Sequence, residues 1–124
     1  MKVFLVLVHP EFASFNGEMH RVAQKALLDA GHEVRVSDLH AMGFNPVPGF
    51  HDVKSPVGTD VFNIQGEQEN AAQTGTFADD IAAEQEKLYW CDLVVFQFPL
   101  WWFGIPAVLK GWYDRVSAYG WAYH

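Results

Sequence analysis

The chain has 124 residues, half of them hydrophobic and 15% aromatic, which makes it one small globular domain with a real core rather than a disordered segment. Its formal net charge is -7, with 15 acidic against 8 basic residues and no Lys/Arg cluster, so a nucleic-acid surface is excluded. The single cysteine forbids an internal disulfide and suits a reducing, cytoplasmic setting. No apolar run reaches membrane-spanning length, and no cleaved-leader pattern opens the chain, so membrane insertion is not expected.

Taken in chain order, Val3 to Val8 is a continuous apolar run of the kind buried on both faces of a parallel sheet. Phe15, Met19, Val22, Ala23, Ala26 and Leu27 then fall at helical spacing, with Gly31 as the stop. Val34 and Val36 alternate with Arg35, a half-exposed strand suited to a sheet edge. Residues 40 to 75 carry Pro46, Pro48 and Pro56 with no sustained periodicity, and are expected to form a long loop serving as a lid or binding element.

Thr76-x-x-Asp79 resembles a capping box opening a helix through about Leu88, with Ile81 and Leu88 inward and Glu84, Glu86 and Lys87 toward water. An apolar strand, Leu93 to Phe98, follows. A last helix starts at Pro106, where proline suits the first turn, and Ile105, Leu109, Trp112 and Val116 mark its buried side. The order β-α-β-loop-α-β-α predicts an α/β fold with a doubly wound parallel sheet, strands ordered 2-1-3. Such a sheet leaves the apolar third strand at an edge, a liability unless something pairs with it. The expectation is therefore an incomplete sheet: the front part of a larger domain, or one that a partner completes.

Two loops are placed for chemistry. The first, Val8 to Gly17, leaves the first strand and opens the first helix, where Ser14 or Asn16 can cap and free backbone N–H groups attract an anion. A phosphate there and a simple capping serine are both consistent with this loop. Neither G-x-G-x-x-G nor a P-loop lysine is present, which argues against an ordinary dinucleotide site. His9 ends the buried strand as either a phosphate ligand or a structural hydrogen-bonder. The other histidines show no metal-ligand spacing, so no metal is assigned, and Cys91 reads as an inert packing residue.

The second loop, Pro99 to Pro106, holds Trp101, Trp102 and Phe103 at the carboxyl end of a parallel strand, where open α/β sheets bind ligands. A flat cofactor ring suits this shelf. Core packing or a dimer interface would also use such aromatics.

His9-Pro10-Glu11-(x2)-Ser14-Phe15-Asn16, then Asp38-Leu39, Met42, Phe44-Asn45-Pro46, and the run from Phe96 through Trp112 resemble the NAD(P)H:quinone oxidoreductases, the DT-diaphorase-like flavoproteins. The resemblance covers residues 1–124 and matches the N-terminal portion of a family member. It implies a flavodoxin-like fold, FAD as cofactor (FMN as the alternative), NAD(P)H as co-substrate, a quinone as acceptor and a homodimer.

By position, His9, Ser14, Phe15 and Asn16 match residues at the flavin's phosphate or ribityl region, and Gln65 one near its diphosphate. Pro99, Leu100, Trp102, Phe103 and Gly104 match the segment cradling the isoalloxazine, with Trp101 standing where relatives place a glutamine beside the flavin. Trp102 and Phe103 would also face nicotinamide and quinone, and Tyr123 matches a tyrosine offered across the dimer interface. Ala13 replaces a phosphate-binding threonine of some relatives. The glycine-rich flavin loop and Tyr/His pair of the family's second half have no counterpart in these 124 residues. A flavodoxin-like regulatory subunit of the potassium-efflux type, or an inactive fragment of the family, are the rival expectations.

Overall fold

A computed structural model describes residues 1–124. Strand β1 (Lys2–Leu7) lies between β2 (Glu33–Asp38) and β3 (Leu93–Gln97), all parallel, so the order is β2-β1-β3 as the sequence predicts. Val3 through Val8 are all buried, because both faces of this central strand are covered. Phe4, Val6 and Val8 point into a core shared with Leu109, Trp112 and Val116. Alternation sends Val3, Leu5 and Leu7 to the opposite face.

The register sets up the site. Leu7 sits opposite both Asp38 and Gln97, and the Val8 amide extends the β1–β3 ladder by donating to the Gln97 carbonyl at 2.9 Å. The segments leaving β1 and β3 therefore emerge side by side at the carboxyl edge of the sheet.

Helix α1 (Phe15–Asp29) starts where expected, but its inward side differs. Gly17 and His20 are buried, whereas Phe15, Met19 and Val22 are exposed. The seam runs through Gly17, His20, Ala23 and Leu27, about one position round the helix from the expected stripe.

The stretch from 40 to 75 is not a loop. It contains a 3-10 turn (Phe50–Asp52) and helix α2 (Ile64–Thr74), which Asn63 caps by accepting from the Gly66 amide at 3.2 Å. Its inward side is Glu67, Gln68 and Ala71, so no apolar period marks it. The buried Glu67 carboxylate accepts from the Val57 amide at 2.9 Å and the Gly58 amide at 2.7 Å. Val53 bridges Phe77, the Lys54 amide donates to the Thr76 carbonyl, and the Ala78 amide donates to the Asp52 carbonyl. These bonds tie the segment to residues 76–78, which favours the binding element over the lid among the two roles expected of it.

Helix α3 (Asp79–Trp90) runs beyond Leu88 and lacks the expected capping box. Ala78 is its N-cap without a side-chain bond, and the Thr76 hydroxyl instead meets that of Thr74 at 2.8 Å. Glu84 is not toward water but wholly buried. It accepts from the Ser37 hydroxyl, the Lys87 ammonium and the Trp112 indole N–H, partners that make a buried carboxylate tolerable.

Helix α4 (Ala107–Val116) uses Pro106 as its N-cap, one position before the expected first turn, and leaves Ile105 outside and exposed. Its Gly111 is obligatory for packing, since a Cβ there would lie 2.1 Å from the Pro46 carbonyl oxygen. Arg115 is 1% exposed and clamps the middle segment to α3 and α4. No helix is long and apolar enough to cross a membrane.

Candidate functional site

The segment after β1 is organised by Glu11, whose role the sequence did not signal beyond its place two residues past His9. The Glu11 amide donates to His9 Nδ1 at 3.0 Å, and its carboxylate accepts from the Ala13 amide at 2.9 Å. The Glu11 carbonyl lies 3.1 Å from the same Nδ1, so both backbone groups of Glu11 fix the ring, and Nε2 is left without a partner in the chain. Ser14 caps α1, its Oγ accepting from the Gly17 amide at 3.1 Å, and thereby keeps its own hydroxyl proton available. The Phe15 and Asn16 amides have no partner within the chain, as the first turn of a helix requires. Asn16 Oδ1 accepts from Gln97 Nε2 at 2.6 Å, which leaves its NH2 free. The unpaired backbone amides, the Ser14 hydroxyl proton and the Asn16 NH2 are donors at the positive pole of a helix macrodipole, as an anion cradle needs, with the Glu11 carboxylate beside them tied to the Ala13 amide.

Gly17 permits this geometry. A Cβ on it would lie 1.8 Å from the Phe12 carbonyl oxygen, so the turn can fold back onto α1 only over a bare backbone. Alanine is the better helix former by about 1 kcal/mol. Gly17→Ala is nonetheless expected to destabilise the chain by about 1–3 kcal/mol through that overlap, measured as a fall in the urea midpoint.

The segment after β3 is a hairpin. Trp101 and Gly104 exchange both backbone hydrogen bonds, at 3.1 and 3.0 Å, around the two-residue tip Trp102–Phe103. Both tip residues adopt left-handed backbone, φ 50° and 59°, so this is a type I′ turn built from bulky aromatics where Asn-Gly is the usual choice. Each such residue costs on the order of 1–3 kcal/mol, strain that clusters at functional sites. Gly104 itself has ordinary φ and room for a Cβ, so the unusual backbone belongs to the two residues before it.

Trp102 and Phe103 are 94% and 93% exposed, so they are not core aromatics. Leu100 is exposed and Pro99 half-buried beside them. The His9 ring meets Trp101 edge-on at 5.8 Å between centroids, which joins the two segments.

Gln65 and Tyr123 lie elsewhere. They share a cavity of about 420 Å3 with Asn63, Gln68, Tyr113 and Ser117, and none of the hairpin residues lines it. Burial raises the Tyr113 phenol, so it stays a neutral donor at physiological pH. Burial likewise raises the Cys91 thiol, whose Sγ contacts the Leu88 carbonyl at 3.4 Å, in keeping with an inert packing role. Burial lowers the His20 imidazole, with Asp38 opposing, so His20 faces the sheet uncharged at neutral pH.

Sequence reasoning brought together His9, Ser14, Phe15 and Asn16 with Pro99 to Gly104, and the structure does the same. It missed Glu11, Gly17 and Gln97. Gln97 was findable as the only polar residue in the run Leu93 to Phe98.

The sequence profile of the family with a flavodoxin-like fold matches residues 1–124. The chain is 46% identical over 123 residues to rat NAD(P)H dehydrogenase [quinone] 1, covering 98% of this chain and 45% of that protein. Against human ribosyldihydronicotinamide dehydrogenase [quinone] the identity is 44%, covering 98% of this chain and 53% of that one. A candidate quinone reductase of Klebsiella pneumoniae superposes with a TM-score of 0.91 at 47% identity, over 95% of this chain and 46% of its own. The chain thus spans about half the length of the curated relatives it matches. With a parallel sheet ordered 2-1-3, ligand segments at its carboxyl edge and a profile match from end to end, this chain belongs to the family of proteins with a flavodoxin-like fold.

Proposed function

We propose that this chain forms the flavin-gripping part of an NAD(P)H:quinone oxidoreductase. The observation that carries this reading is the pairing, on adjacent segments, of a donor-rich cradle at α1 with a strained, outward-facing aromatic hairpin. One suits the phosphate end of a flavin, the other its ring. A bound flavin supplies two-electron hydride chemistry between NAD(P)H and a quinone.

The chain's own residues bind and orient. His9 Nε2, the Ser14 hydroxyl, the Asn16 amide and the free amides of Phe15 and Asn16 hold the phosphate. Main-chain groups from Pro99 to Gly104, with Leu100 and Trp101, border the ring. Trp102 and Phe103 exclude water and offer an apolar wall to the nicotinamide and quinone. Tyr123, on the separate cavity, completes the site of a second copy in a homodimer, and Gln65 lies toward the diphosphate of FAD. FAD is the favoured cofactor, FMN the alternative, and the cytoplasm the setting.

Flavin fluorescence titration followed by a steady-state assay of NAD(P)H oxidation with a simple quinone tests the reading. Binding of FAD or FMN with turnover supports it. Binding without turnover points to a regulatory flavodoxin-like subunit, and no binding of either flavin refutes it. Trp102→Ala is expected to weaken flavin retention and raise the quinone KM by roughly tenfold, about 1.4 kcal/mol. Unchanged kinetics would remove Trp102 from the site.

A further inference from the structure

We propose that Gln97 is a positioning residue that fixes the polarity of the cradle by holding the Asn16 amide in a single orientation, and so makes the site select a phosphate ester over a neutral alcohol. This rests on the reading of α1 as the flavin's phosphate end.

A free asparagine can offer a ligand either its carbonyl oxygen or its NH2, and only its neighbours decide which. Here the neighbour is Gln97, at the carboxyl end of β3. Its backbone is pinned, since its carbonyl accepts from the Val8 amide at 2.9 Å and its residue pairs with Leu7 in the sheet. Its side chain donates Nε2 to Asn16 Oδ1 at 2.6 Å, and the same NH2 approaches Met19 Sδ at 4.0 Å. Both amides are only partly exposed. With Oδ1 committed inward, Asn16 presents only donors outward.

Ser14 is held from within in the same way, its Oγ accepting from the Gly17 amide, and His9 Nδ1 lies against the amide and carbonyl of Glu11. Gln97 is the one of these inward partners that comes from a distant element. It ties the opening turn of α1 to the strand that leads into the Trp101–Gly104 hairpin. A dianion gains from a ring of donors, while riboflavin's terminal hydroxyl is indifferent because it can donate or accept.

FMN and riboflavin differ by the phosphate alone, so the ratio of their affinities for the full chain isolates this effect. Gln97→Met, similar in volume without an amide, is expected to lower the FMN-to-riboflavin ratio about three- to tenfold, with riboflavin affinity unchanged. In an Asn16→Ala background the same substitution is expected to have no further effect, because its route is through Asn16.

Gln97→Glu provides a second arm if the methionine variant fails to fold. Its carboxylate can only accept, so Asn16 must turn its NH2 inward. A loss of FMN affinity greater than tenfold with riboflavin retained is expected. An unchanged ratio in Gln97→Met, or an equal loss in the Asn16→Ala background, would overturn the role of Gln97 while leaving flavin binding intact. A wild-type chain that binds neither flavin would overturn both readings.

Discussion

Replacement of Arg115 by alanine is expected to destabilise the protein by about 3–5 kcal/mol, read as a large fall in the urea midpoint. That is a large share of the 5–15 kcal/mol or so typical of a whole domain. Its Nε donates to Asp52 at 2.8 Å, and its Nη1 donates to Asp80 at 2.7 Å and to the Asn45 carbonyl at 2.8 Å. The guanidinium carbon also lies 5.2 Å from the centre of the Phe44 ring. One side chain thus ties the 39–53 stretch to α3 and α4, and its removal strands the buried Asp52 carboxylate.

The deficit should depend on pH in a definite direction. Burial pushes the Asp80 carboxyl upward, but the Arg115 hydrogen bond and charge outweigh it and hold the group below its usual value. A carboxylate depressed in the folded state contributes stability above its unfolded pKa of about 3.9, and that contribution is lost as pH falls through the lower folded value. The gap between wild type and Arg115→Ala should therefore narrow below about pH 4. A gap independent of pH would remove Asp80 from the clamp. Arg115→Ala with a wild-type midpoint at neutral pH would show the network to be energetically idle.

The second large effect runs in two directions at once. Trp102→Asn combined with Phe103→Gly installs the preferred residues of a type I′ turn and is expected to raise stability by about 1–3 kcal/mol. The same pair removes the two most exposed large aromatics of the chain. Flavin affinity is expected to fall by more than tenfold, a loss above about 1.4 kcal/mol. A gain in thermal midpoint accompanied by that loss would identify the turn as a place where stability has been given up for binding. A fall in stability with affinity unchanged would show that the hairpin serves folding alone.

Much of this architecture was legible because its signals were apolar and local. The run Val3–Val8 reads as a central parallel strand, Leu93–Phe98 as another, and Leu109, Trp112 and Val116 as an inward helical face. The site segments were legible for a different reason: aromatic residues and prolines crowd the turn after β3, and Ser14 stands at a helix start. What escaped was built from polar groups in buried places. Helix α2 turns Glu67 and Gln68 inward, and α3 turns Glu84 and Gln85 inward. Hydrophobic periodicity cannot register a face whose residues are satisfied by distant partners. The left-handed tip escaped because tryptophan and phenylalanine carry no local preference for such backbone, so only the fold imposes it. In α1, Phe15, Met19 and Val22 suggested an inward stripe, yet the close approach at Gly17 sets a seam one position away.

The in-line position of β1 also governs how fast the site can come into being. Lys2 finds its β2 partner Glu33 about 30 residues along the chain, whereas Val3 finds its β3 partner Leu93 about 90 residues along. Long-range parallel pairing is slow, since chain entropy must be surrendered before the contact rewards it. The N-terminal strand accordingly waits, half-satisfied, until residues 93–97 arrive. The proposed flavin site depends on that pairing, for the segments after β1 and β3 come side by side only once it has formed.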